Sequence, residues 1–174
     1  MQVKLSVVNN GRPKAVQEIW TILEKVEDPE VPALSVVDLG VIRDIQILEN
    51  NEIKIDVTPT YTGCPATLLI NSLIKMAVEK VGFKVVTVNT VLSPPWTTEW
   101  ISEEGRVKLK EYGIAPPVGK PETRGALFGV AAEVSCPRCN SFKTKRVSEF
   151  GSTACKALYK CGACEEPFEY FKCL

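Results

Sequence analysis

Two Cys-x2-Cys pairs, Cys136-Pro137-Arg138-Cys139 and Cys161-Gly162-Ala163-Cys164, limit what the C-terminal part of this chain can become. Each pair puts two sulfurs on one side of a tight turn. Together they read C-x2-C-x21-C-x2-C, a pattern that closes a tetrahedral four-sulfur site. A segment of about forty residues cannot build a stable core unaided. A structural Zn²⁺, which contributes on the order of 10–16 kcal/mol in zinc-finger peptides, would fold it. Between the pairs, Phe142 to Phe150 carries Thr144, Val147 and Phe150 and suits one arm of a β-hairpin. The expectation is a zinc ribbon over residues 131–174. Cys155 and Cys173 exceed the four ligands that tetrahedral zinc uses. Either is an alternate ligand, and the surplus leaves an iron–sulfur site open as a second possibility.

The 174 residues contain seven cysteines and no histidine. The absence of histidine excludes Cys–His and Ser–His pairs, imidazole metal ligands and histidine acid–base chemistry. Any metal is held by cysteine, by carboxylate or by atoms from another chain. Met1-Gln2-Val3-Lys4-Leu5-Ser6 has no apolar signal region, so the cysteines point to metal or thiol chemistry in a reducing cytoplasm. No apolar run is long enough to span a membrane. Lys+Arg and Asp+Glu are both 21, so no global charge drives the chain toward nucleic acid or anionic lipid. The scattered cations of the ribbon are a weak footprint for nucleic acid.

The other organising stretch is Thr58-Pro59-Thr60-Tyr61-Thr62-Gly63-Cys64-Pro65. Before it, Glu52 to Val57 alternates polar and apolar as a half-buried strand does. After it, Leu69, Leu73, Ile74, Ala77 and Val81 recur at helical spacing. Cys64 therefore falls on a strand-to-helix turn, with Pro65 suited to the first helical position. A thiol there is a candidate nucleophile or metal ligand; the alternative is a small buried hydrophobe.

Around this stretch the chain reads in order. Pro13 to Val26 is a helix with Val16, Ile19, Trp20, Leu23 and Val26 on one stripe. Glu27-Asp28-Pro29-Glu30-Val31-Pro32 is a rigid acidic loop. It is read either as a solvated turn capped by Asp28 or as a source of carboxylates for Cys64. Ser35 to Gly40 is a short turn closed by Gly40. Val41–Leu48 and Glu52–Thr58 form a hairpin across Glu49-Asn50-Asn51, and Phe83 to Leu92 is a third strand. Ser102 to Tyr112 is a helix with Ser102 as N-cap and Gly113 as its stop. The order α-β-β-α-β-α predicts an α/β domain of the α+β type, with helices on one face of a small mixed sheet. That domain is expected over residues 1–114, with a Pro/Gly-rich linker at 115–130. Trp96 and Trp100 follow Pro94-Pro95 in a loop and either cover a sheet edge or dock a partner.

Asp28-Pro29-Glu30, Val36-Val37-Asp38-Leu39-Gly40-Val41 and the Cys64 stretch together resemble the SufT-like iron–sulfur cluster assembly family. Ser93-Pro94-Pro95-Trp96-Thr97-Thr98-Glu99-Trp100, Tyr112 to Pro117, Phe150 to Tyr159 and Glu166 to Lys172 resemble the PaaD-like family of phenylacetate degradation. The resemblance covers nearly the whole chain from Pro13 onward. It implies an α/β domain followed by a zinc ribbon. It also implies a role in maturing a metal centre of the multicomponent phenylacetyl-CoA epoxidase, as an accessory component and not as the catalyst. Carried over by residue, it makes Cys64 the reactive cysteine that transiently holds iron or an iron–sulfur cluster. Asp28 and Glu30 become the acidic loop facing it at one end of the sheet. The implied partners are the epoxidase oxygenase or reductase subunits and the iron–sulfur assembly machinery. Because one sulfur alone is a poor site, a homodimer sharing a cluster is a further expectation. The competing expectation is a non-catalytic structural subunit of the same epoxidase.

Overall fold

The computed structural model describes residues 14–48, 52–83, 86–118 and 133–172. Helix α1 (Lys14–Leu23) turns Ile19 and Leu23 fully inward. It is shorter than the apolar stripe predicts. Lys25 and Val26 donate to Ile22 and Leu23 in tight i→i+3 turns, and the chain leaves helical geometry there. Strands β1 (Ile42–Ile47) and β2 (Ile53–Val57) pair antiparallel, and β3 (Val86–Thr90) lies parallel to β2. This is the expected small mixed sheet, in the order β1-β2-β3. Ile53, Ile55 and Val57 of β2 are all buried while Lys54 and Asp56 face away, as a two-residue period requires. The turn expected at Glu49 to Asn51 lies outside the described residues. Helix α2 (Thr67–Glu79) lays Ile70, Ile74 and Val78 on the core and packs against both α1 and β3.

After β3 a 3-10 turn (Thr98–Trp100) leads into α3 (Glu103–Tyr112). Ser102 Oγ caps α3 by accepting from the Gly105 N–H at 2.9 Å. Gly113 ends it in the left-handed conformation, φ +91°. The loop before β1 is fastened to this helix through Asp38. Its Oδ2 accepts from the Ser35 N–H at 3.0 Å, the Ser35 hydroxyl at 2.8 Å and the Lys108 ammonium at 3.0 Å. Gly40, at φ +66°, lies so close to Trp100 that an added Cβ would run into its carbonyl oxygen. Only glycine meets both demands at that position.

The ribbon sheet has the order β4-β7-β6-β5. Strands β5 (Thr144–Ser148), β6 (Lys156–Cys161) and β7 (Pro167–Phe171) form an antiparallel meander. Its fourth strand, β4 (Ile114–Ala115), comes directly from the end of α3 and runs parallel to β7. The linker expected from residue 115 therefore begins inside a strand of the ribbon, because the backbone there finds partners on Glu169 and Tyr170. Residues 119–130 of that linker, and Cys173, lie outside the described residues.

The two sheets share a core. Cys155 and Phe171 of the ribbon belong to the same buried cluster as Ile19, Leu39, Val57 and Ile70. Trp96 is 4% exposed, stands 6.2 Å from the Phe171 ring between centroids, and donates from Nε1 to the Leu39 carbonyl at 2.9 Å. Its ring has no face to offer a partner. Trp100 is half-buried under the Arg43 guanidinium, 3.6 Å from the ring centroid. The docking role expected for Trp96 gives way to a structural one, because the loop folds back and buries its ring. Among the described residues no helix is long and apolar enough to cross a membrane.

Burial alone would raise the Asp38 carboxyl. The Ser35 N–H and hydroxyl and the Lys108 ammonium outweigh it and hold Asp38 below the ordinary carboxylate range. A depressed folded-state pKa means stability that is present above the unfolded value of 3.8 and lost as pH falls through the lower folded value. Asp38→Asn is therefore expected to cost about 1–3 kcal/mol at pH 7. The gap to wild type should close as pH drops below 3.8, measured by denaturant melts across the acid range.

Candidate metal sites

The ribbon cysteines converge. Cys136 and Cys139 flank one turn, and Cys161 and Cys164 another, where β6 ends. Left-handed Asn140 (φ 57°) and Glu165 (φ 62°) follow the second cysteine of each pair and bend the chain back. The Cys136 and Cys164 sulfurs are 3.8 Å apart and those of Cys139 and Cys161 are 3.6 Å apart. All four lie within 4.8 Å of one another. Four sulfurs about 2.3 Å from one ion stand about 3.8 Å apart along each tetrahedral edge, which the 3.8 and 3.6 Å separations match. The amide N–H groups of Cys164 and Ala163 hold the Cys161 thiol down to about 6, while desolvation and the neighbouring sulfurs push Cys139 and Cys164 up, as expected of thiols close enough to share their protons. Zinc bound by four cysteines has no open position and supplies folding free energy, not chemistry.

A second group of donors lies between the two sheets. Asp28 caps its own loop, its Oδ1 accepting from the Glu30 and Val31 N–H groups at 2.8 Å each. The cap is 6% exposed, not solvated. Burial pushes the Asp28 carboxyl up, opposed by those two N–H groups and by the charge of Lys156. The loop thereby places Asp28 and Glu30 on the wall of a small cavity, about 20 Å³, that Cys64 also lines. Cys64 stands earlier than the first helical position, because α2 begins at Thr67 and Cys64 to Ala66 make a separate turn. The Tyr61 hydroxyl is pushed up by burial, by the neighbouring Cys64 thiol and by the charges of Glu30 and Cys155.

The ribbon contributes to this same cavity, and the sequence reading missed it. Cys155 is not a fifth member of the ribbon set. It lines the cavity with Cys64, 3% exposed, with its Sγ 3.7 Å from Glu30 Oε2 and 3.0 Å from the Thr153 hydroxyl. Burial pushes its thiol up to about 11, with Thr153 opposing and Glu30 adding to the rise. The neighbouring Lys156, also 3% exposed, reaches the Glu30 carbonyl at 3.2 Å and Glu169 Oε2 at 3.1 Å. The only sequence signal for this was a lone cysteine beside a lysine in a run of small polar residues, Gly151 to Lys156.

Residues 16–90 match the model of the iron–sulfur cluster assembly protein family, and residues 120–172 match the PaaD zinc beta ribbon domain. A chain of Escherichia coli (strain K12), provisionally named as a component of 1,2-phenylacetyl-CoA epoxidase, is 46% identical over 93% of this chain and 95% of its own length. This chain belongs to the PaaD family. The α/β half alone extends the likeness. An Fe-S protein maturation auxiliary factor of Porphyromonas gingivalis (strain ATCC BAA-308 / W83) is 32% identical over 59% of this PaaD-family chain and 97% of its own. The crystal structure of a DUF59 domain from Bacillus anthracis superposes with a TM-score of 0.50 at 33% identity, covering 53% of this chain and 89% of that one. Relatives of the assembly type thus match the half that carries Cys64, Asp28 and Glu30.

Because Cys155 and Phe171 wall the cavity from the ribbon side, the four-cysteine site and the cavity are mechanically linked. Stripping zinc with a strong chelator is expected to unfold residues 133–172 and to loosen the cavity as well. Hydrogen exchange at β6 and β7 should rise severalfold, and Trp96, which rests on Phe171, should shift its fluorescence to the red. An unchanged Trp96 emission after zinc loss would show that the ribbon does not support the cavity.

Proposed function

We propose that this protein matures the multicomponent phenylacetyl-CoA epoxidase of aerobic phenylacetate degradation by handing it iron, as an ion or as an iron–sulfur cluster. The observation that carries this reading is the joint cavity, in which Cys64 stands with the Asp28–Glu30 loop. Thiolate and carboxylate together suit ferrous iron, which is borderline between soft and hard. Iron here is cargo. Cys64 is the transfer thiol, Asp28 holds the loop, and Glu30 offers its carboxylate. The zinc ribbon is structural, bound by Cys136, Cys139, Cys161 and Cys164. The iron–sulfur assembly machinery of the cytoplasm is the donor, and an oxygenase or reductase subunit is the recipient. Support comes from the epoxidase name of one relative and the Fe-S maturation name of another.

A second reading makes the chain a standing, non-catalytic subunit of the epoxidase. Leu68 and Leu69 favour it, 80% and 51% exposed at the start of α2, since adjoining exposed apolar side chains suit a permanent interface. The two readings separate in cells that express the epoxidase. In the maturation reading, Cys64→Ser leaves the epoxidase subunits present but lowers their iron content and activity at least severalfold. Full iron content and activity in that variant would rule out transfer through Cys64. A fully active epoxidase purified without this chain would rule out the structural subunit.

A further inference from the structure

We infer that Cys155 is the second thiolate of the iron site, so that one chain binds a single ferrous ion between its two domains through Cys64, Cys155 and Glu30. The inference rests on the transfer role proposed for Cys64 and adds a ligand from the other domain.

Three observations carry it. Cys64 comes from the turn before α2 and Cys155 from the loop before β6, yet both line one cavity. The Glu30 carboxylate, on the same wall, lies 3.7 Å from the Cys155 sulfur. Asn71 also lines the cavity, and its Oδ1 is buried with no hydrogen-bond partner among the described residues. A buried acceptor left unpaired is unusual and calls for an ion or a water.

Size narrows the occupant. About 20 Å³ holds one ion or one water and falls far short of the space an organic substrate needs. Two thiolates and a carboxylate form a mixed set that suits a borderline divalent ion better than Mg²⁺ or Ca²⁺. The set is also looser than the ribbon. Among the described residues, only the four ribbon cysteines gather within 4.8 Å of one another. A site that must release its cargo is served by donors that close on the ion when it arrives and part again when it leaves. The second thiolate comes from the same chain, so a shared site across a dimer is not required.

The test uses the full chain with one zinc already in the ribbon, titrated anaerobically with Co²⁺ alone as the optical probe and then with Fe²⁺ alone. Wild type should bind one further ion, with thiolate-to-cobalt charge transfer of two-sulfur intensity. Cys64→Ser and Cys155→Ser should each bind roughly tenfold or more weakly, with about half that intensity per bound ion. Glu30→Gln should weaken binding and leave the intensity unchanged. Cys155→Ala, a small apolar replacement, should behave as Cys155→Ser, and retention of the ribbon zinc and the far-ultraviolet spectrum in both shows that the fold is intact. If Cys155→Ser and Cys155→Ala bind as wild type while Cys64→Ser does not, Cys155 is only core, and the Cys64 reading survives without it. If Cys64→Ser binds as wild type, the transfer role of Cys64 falls and the two-thiolate site with it. If wild type takes up no ion beyond the zinc, the site does not exist.

Discussion

The molecule depends on a buried ammonium. Lys156 is 3% exposed, and an unpaired charge at that depth costs several kcal/mol. Its partners resolve the cost and also set the architecture. Glu169, on β7, neutralises it at 3.1 Å, and the Glu30 carbonyl accepts from it at 3.2 Å. One side chain thus fixes the acidic loop of the α/β domain to the ribbon. The residue before it, Cys155, is thereby held against that loop. Remove the ribbon and the loop loses its clamp, and the cavity loses a wall.

This arrangement explains why the two halves share one core and are not joined as beads. Strand β4 leaves α3 and pairs directly with β7. Phe171 at the far end of β7 is 1% exposed and packs on Trp96. Burying such a ring contributes roughly 1.5–3 kcal/mol, and it does so only if the ribbon keeps its shape. The four ribbon cysteines, gathered within 4.8 Å of one another, form the point from which a bound metal would hold that shape. The state of the ribbon therefore reaches the α/β domain through ordinary packing.

The fold was largely legible beforehand, because its signals are local. Alternation in β2, the helical stripe of α1, the Ser102 cap and the Gly113 stop each follow from a few adjacent residues. The four ribbon cysteines were legible for the same reason: each Cys-x2-Cys pair encodes its own turn. Two expectations failed where a local reading met tertiary packing. Trp96 looked like a surface aromatic in a proline loop, but the loop folds inward and its indole finds the Leu39 carbonyl. The linker looked as though it began at Ala115, but the extended backbone there found an open sheet edge.

What the sequence by itself determined was the set of chemistries available: cysteine and carboxylate ligands, no imidazole, a four-sulfur turn pair, and a cysteine on the turn between a strand and a helix. Period, turn residues and ligand spacing are properties of short stretches and survive without knowledge of the rest. Only the tertiary structure decided which donors meet. Cys155 and Glu30 are 125 positions apart, and no local pattern relates them. Their meeting follows from the β4–β7 pairing and the hydrogen bond from Lys156 to the Glu30 carbonyl, which hold the ribbon against the acidic loop. Contacts of that separation are set by how two folded surfaces fit, and that fit is not written in either stretch alone.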